Sequence, residues 1–242
     1  KSIDVGGKAV VKGGRIEEVD VGGSFESEDS FEFGSIDVGG AVRLTGKNVG
    51  GDIDVGGSCK VDGDLKFRRI DVGGVTEVSG TAEGESLDVG GTVRIGASLK
   101  LSGSLDVGGK VEVERELSAQ DIDVGGSLEV RKVTAEDKVT VGGSITTADG
   151  VYAHYVEIGR RGKVSGPIHA DEVLIREKAT AGDIHAKSIE MEKRAQARNL
   201  YGEKIRLESG CQITGETQYT ESLESEDGVK FAKPPQKVEK LL

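Results

Sequence analysis

Tryptophan is absent from this chain of 242 residues, aromatic residues make up only 4% of it, and it has one Met, two Cys and three Pro. So few rings suit a narrow interior filled by Val, Ile, Leu and Ala. Cys59 and Cys211 are too few for a disulfide framework, and a reducing compartment is the simplest setting for them. No apolar run reaches 18 residues, which excludes a transmembrane helix. No basic block offsets the net charge of −11, so nucleic acid is repelled over most of the surface and is not expected as a partner. A signal peptide is missing too. The chain opens at Lys1 within a repeat and without an initiator Met, so a further upstream segment is expected and targeting stays open.

Glycine is the opposite case, with 38 residues, and its placement is ordered. Asp-Val-Gly-Gly recurs at Asp4, Asp20, Asp37, Asp54, Asp71, Asp88, Asp106 and Asp123, and Thr140-Val141-Gly142-Gly143 is a degenerate ninth copy. Successive copies lie 16 to 18 residues apart. A helical-hairpin repeat needs at least about 30 residues, whereas this period matches one turn of a β-solenoid. In such a fold each turn touches only its neighbours, so length sets the number of turns rather than of domains. The charged fraction of 31% is high, but the regular apolar spacing argues against disorder.

The turn that starts at Ile122 shows the internal pattern. Ile122 and Val124, Leu128 and Val130, and Val133 and Ala135 form three apolar–polar–apolar triplets. Each reads as a short strand with one face buried. Three strands per turn predict an all-β, single-stranded parallel β-helix of triangular cross-section. The uneven intervals favour the right-handed form over the left-handed one, which keeps strict hexapeptides. Glycine is expected at the first corner because it tolerates positive φ and brings no side chain against the corners above and below. Equivalent positions continue through Ile158, Ile175, Met191 and Leu207, giving 13 turns and a rod about 60 Å long at ~4.8 Å per turn. On that spacing Cys59 and Cys211 stand about 43 Å apart, beyond any disulfide. Three segments are expected: regular turns over 1–147, less regular turns over 148–216, and a capping or disordered tail over 217–242. A side bulge or distorted turn is expected over 24–34, where acidic residues mix with Phe25, Phe31 and Phe33.

Stacking turns converts equivalent residues into ladders. The eight Asp residues point outward and form a column of carboxylates, each pair about 5 Å apart and repelling by ~1 kcal/mol at water-like screening. Three readings stand side by side: a solvated ladder, a strip that binds cations or a partner, and a lateral contact with another filament. The Gly-Gly-x-Gly-x-Asp calcium nonapeptide is absent, so specific calcium sites are not supported. His154, His169 and His185 occupy triplet centres and are expected to stack on one face. They are a weak zinc candidate, since parallel collinear side chains make poor tetrahedral geometry. No metal, other cofactor or catalytic constellation is assigned, and corners of two or three residues leave no loops from which to build a cleft.

Two stretches, Lys163-Val-Ser-Gly-Pro-Ile-His-Ala-Asp-Glu-Val-Leu-Ile175 and Thr180-Ala-Gly-Asp-Ile-His-Ala-Lys-Ser-Ile-Glu-Met191, carry a family resemblance. Over residues 150–215 the chain resembles the bactofilins, bacterial cytoskeletal proteins. The resemblance implies a right-handed β-helix whose ends stack into filaments without nucleotide, serving as scaffolds for cell shape and protein positioning. It also implies a cytoplasmic location, often at the membrane. The chain departs from the family in its long uniform Asp-Val-Gly-Gly run, and the membrane-binding segment common there is not visible. Apolar residues of the terminal turns, Ile3, Val5, Val10, Leu207 and Ile213, are the expected assembly contacts. The expected partner is the chain itself. A cell-surface spacer or adhesin-like module is the alternative, with a β-helical acyltransferase or zinc carbonic anhydrase as a third reading.

Overall fold

The computed structural model describes residues 1–241. It is all-β: among the described residues there is no helix, and parallel strands stack in about 14 turns as a β-solenoid. Two compact units divide the chain, Lys1–Ala119 and Gln120–Leu242, so the division does not follow the end of the Gly-Gly motif at Gly143.

Alternation dictates each strand. In Ser58–Asp62, Cys59 and Val61 face inward while Ser58 and Lys60 face out. Each turn supplies three such segments, and each segment pairs in parallel with its equivalent in the next turn. In the first unit the segments with Ile, Val or Leu before Asp-Val run in register from Asp4 through Asp20, Asp37, Asp54, Asp71 and Asp88 to Asp106. In the second unit Thr140, Glu157, Leu174, Glu190, Arg206 and Glu224 occupy the equivalent position. Val21, Val38, Val55, Val72, Val89 and Val107 are fully buried, each contributing about 1.5–3 kcal/mol of burial free energy.

The Gly-Gly corner does not use positive φ. None of its glycines adopts it among the described residues, which corrects the expectation from sequence. The other half of that expectation holds: close stacking on the corner beneath, set by hydrogen bonding, explains the pair. The amides of Gly56 and Gly57 both donate to the Val38 carbonyl (2.9 and 3.1 Å), and those of Gly142 and Gly143 both donate to Val124 (2.9 Å each). This convergence draws the second glycine down onto the corner beneath. A Cβ at Gly57 would overlap the Gly40 carbonyl, whereas one at Gly56 would sit 3.6 Å from its nearest neighbour, the Val38 carbonyl.

In the second unit the corner lengthens. Gly162 N donates to Gly159 O (2.9 Å), Ala179 N to Arg176 O (3.1 Å) and Ala195 N to Glu192 O (3.1 Å), closing four-residue turns. Their third residues, Arg161, Lys178 and Arg194, have φ of 63°, 61° and 61°. A non-glycine residue there costs roughly 1–2 kcal/mol. The equivalent residues of the next two turns are Gly210 and Gly228.

Two further expectations change. Residues 24–34 are no side bulge: Phe25 and Phe31 are 0% and 1% exposed and lie 5.6 Å apart, centroid to centroid, inside the coil. Two other rings fit because glycine lies above them. Phe33 packs beneath Gly50, and Phe67 beneath Gly84. Residues 217–231 are likewise an additional turn rather than a tail. Thr217–Ser225 pairs in parallel with Leu200–Leu207, and Lys230–Phe231 pairs with Gln212–Ile213. The turn count is therefore about 14 rather than 13.

Candidate functional site

With every turn nearly identical inside, the outward ladders are where the two units can act. The first unit presents Asp4, Asp20, Asp37, Asp54, Asp71, Asp88 and Asp106, all exposed, on strands that hold them in register. Asp123 is exposed in the second unit. The flanking outward column reads Ser2, Glu18, Ser35, Asp52, Arg69 and Ser86, so it adds a single base, and Asp52 already pairs with Arg68. Elsewhere on this unit the ladders alternate in sign: Arg94 bridges Glu77 (3.2 Å) and Glu112 (3.0 Å), and Lys66 meets Glu83 at 3.0 Å. The aspartate column forms no ion pair among the described residues. Partial desolvation, then repulsion from the neighbouring aspartates, raises the carboxyls of Asp54 and Asp88 above their ordinary range.

The second unit carries a different ladder. Register aligns Tyr152 with His169, His169 with His185 and His185 with Tyr201. The rings form one stack, with centroids 4.7, 4.8 and 4.6 Å apart and planes within 9° to 16°. The Lys132 ammonium lies 5.0 Å from the Tyr152 centroid and closes one end. His154 is not part of the stack. Its offset from His169 is two residues short of a turn, so the 17-residue pairing puts Tyr152 there instead. His154 sits at the next corner, where Nδ1 lies 2.7 Å from Asp171 Oδ2, and Lys187 Nζ holds the other carboxylate oxygen at 2.7 Å. The three histidines therefore do not converge, and among the described residues no group of three or more His, Cys, Asp or Glu is placed to hold a metal ion.

Desolvation holds the His169 and His185 imidazoles below their usual pKa, and repulsion from His169 adds to the shift at His185. Burial therefore favours the neutral form of both rings in the fold. A depressed histidine pKa gives stability that is present above the unfolded value of about 6.5 and is lost as pH falls through it. The melting temperature of the second unit should fall as pH drops from about 7 to 5, and His169→Gln with His185→Gln should flatten that slope. Thermal scans at stepped pH give the answer, and an equal slope in the variant would remove the ladder as its cause. Acid-labile ion pairs act lower. Lys178, then Arg160, holds the Glu177 carboxyl down to about 2, and the Asp183 carboxyl is depressed first by Arg198.

Of the expected assembly residues, Val5 is buried (7%) and Ile3 half-buried in the first turn. Val10 is 48% exposed but points sideways, in the outward column with Glu26 and Arg43. Leu207 and Ile213 are interior (0% and 2%), because the turn over 217–231 covers them. Cys59 and Cys211 are both free thiols within the coil, and burial pushes that of Cys59 up to about 12. Tyr152 and Tyr201 were the residues that sequence reasoning missed, and a strict 16- or 17-residue offset from the histidines would have found both. No helix among the described residues is long and apolar enough to cross a membrane. No family model, curated protein or solved structure matches the chain.

Proposed function

We propose that this protein is a non-enzymatic structural element that stacks end to end with copies of itself, without nucleotide, into a filament or scaffold. The observation that carries the reading is the half-covered turn over 217–231. Leu223 and Phe231 are half-buried there, whereas the residues they stack on, Ile205 and Ile213, are each 2% exposed. The outer edge of that turn is met by Gln236–Lys237 at Gln218 and Tyr219 alone, among the described residues. In the first unit Ile3, Ala9 and Val11 are half-buried in the same way.

A turn in parallel register is what covers every interior turn, so a second copy offers the same interaction to an exposed one. Corners of two to four residues supply no long loops for a substrate cleft. The likeness of residues 150–215 to bactofilins favours the same reading and, with it, a cytoplasmic location. Sedimentation velocity tests it. At high salt, which screens contacts between charged faces, wild type should show a concentration-dependent series of polymers, and Leu223→Lys with Phe231→Lys should sediment as a single small species with an unchanged fold by circular dichroism. A double variant that polymerises as readily as wild type would overturn end-to-end stacking.

A further inference from the structure

Three successive corners of the second unit place long cations where the backbone asks for glycine. Arg161, Lys178 and Arg194 hold positive φ at equivalent positions, and Gly210 and Gly228 take over in the next two turns. The third residue of such a turn ordinarily calls for Gly or Asn, so retaining Arg, Lys and Arg is a local conflict between conformation and side chain. Arg160 and Lys193 stand beside them, and all five cations are exposed. The corners are locked to one another: Arg161 N donates to Glu177 O, Lys178 N to Lys193 O and Arg194 N to Ser209 O, at 3.1 to 3.2 Å. Glu177 neutralises part of the ridge through Arg160 and Lys178. Arg161, Lys193 and Arg194 form no ion pair among the described residues. In a chain of net charge −11, this ridge is a rigid positive strip repeating once per turn.

The complementary surface is on the same chain. The aspartate column of the first unit is rigid, exposed and without ion-pair partners, and it also repeats once per turn. Because parallel β-turns set both spacings at ~4.8 Å, three successive cations can face three successive carboxylates without loss of registry. The corner after each aspartate is Gly-Gly, so no side chain stands between an incoming ridge and the column. Opposite charges would also relieve the crowding that lifts the Asp54 and Asp88 carboxyls. We propose that the basic ridge around Arg161, Lys178 and Arg194 docks sideways on the aspartate column of a second copy, turn against turn. This lateral contact does not rest on end-to-end stacking.

Two gentle variants test it, each made in the stacking-deficient Leu223→Lys/Phe231→Lys chain so that the two kinds of assembly are read apart. Arg161→Gly/Lys178→Gly/Arg194→Gly removes the ridge charges and suits the corner backbone. Asp54→Asn/Asp71→Asn/Asp88→Asn removes carboxylates at nearly constant shape and relieves their repulsion. Both should melt no lower than their parent. By sedimentation equilibrium at low salt the parent should self-associate, at least about tenfold more weakly at high salt, and each variant alone should stay monomeric. An equimolar mixture should regain a one-to-one complex, because each variant keeps the surface the other lost. A monomeric parent, a variant that self-associates like the parent, or a mixture that stays monomeric would overturn the proposal. So would ridge-dependent binding to anionic phospholipid vesicles without self-association, which would give the ridge to a membrane surface.

Discussion

Gly57→Ala should destabilise the unit spanning Lys1–Ala119 by about 1–3 kcal/mol, the usual cost of forcing extra volume into a packed site. The adjacent Gly56→Ala should be neutral or stabilise by up to about 0.4–1 kcal/mol through a less flexible unfolded chain. The contrast follows from one carbonyl. Both amides reach for Val38 O, but only the second glycine is pulled onto the Gly40 carbonyl, which a methyl group would overlap. The same overlap recurs at Gly23, Gly40, Gly74, Gly91 and Gly109, so a chain carrying several second-position alanines should fail to fold. Urea denaturation of the two single variants provides the comparison, and equal midpoints would contradict the stacking explanation of the motif.

The second large effect concerns the rings inside the first unit. Gly84→Ala should also cost about 1–3 kcal/mol, because the added carbon would strike the Phe67 ring at Cε2, Cδ2 and Cζ. Phe67→Leu on its own should be destabilising, since it empties space that the ring fills beneath the glycine. Combined with Gly84→Ala it should cost less than the sum of the two, with a coupling of about 0.5–3 kcal/mol. Additive losses in a double-mutant cycle would show that ring and glycine do not share that space. Gly50 and Phe33 form an equivalent pair and should behave alike.

Much of this fold was legible in the sequence because the solenoid writes its period into the chain. Asp-Val-Gly-Gly at 16 to 18 residues gave the turn, the parallel stacking and the outward aspartates. What stayed hidden depends on residues from different turns meeting. Tyr152 joins His169 only once the 17-residue register is imposed, while the eye prefers to align His with His. The cations of the ridge look unremarkable in sequence, since Arg161, Lys178 and Arg194 are separated by a full turn. Phe33 read as part of a bulge because Gly50, the glycine that admits its ring, lies one turn later. The turn over 217–231 was missed because an extra residue shifts register between Gly202 and Lys204 and because Ser225 replaces an apolar residue beneath which Leu207 is buried.

Self-assembly through stacked turns is the central claim, and electron microscopy of the purified chain in negative stain, without nucleotide, tests it most directly. The account predicts thin unbranched filaments that lengthen with protein concentration and disappear in Leu223→Lys/Phe231→Lys. Short, monodisperse particles at every concentration would contradict it and would favour a spacer module acting as a single chain.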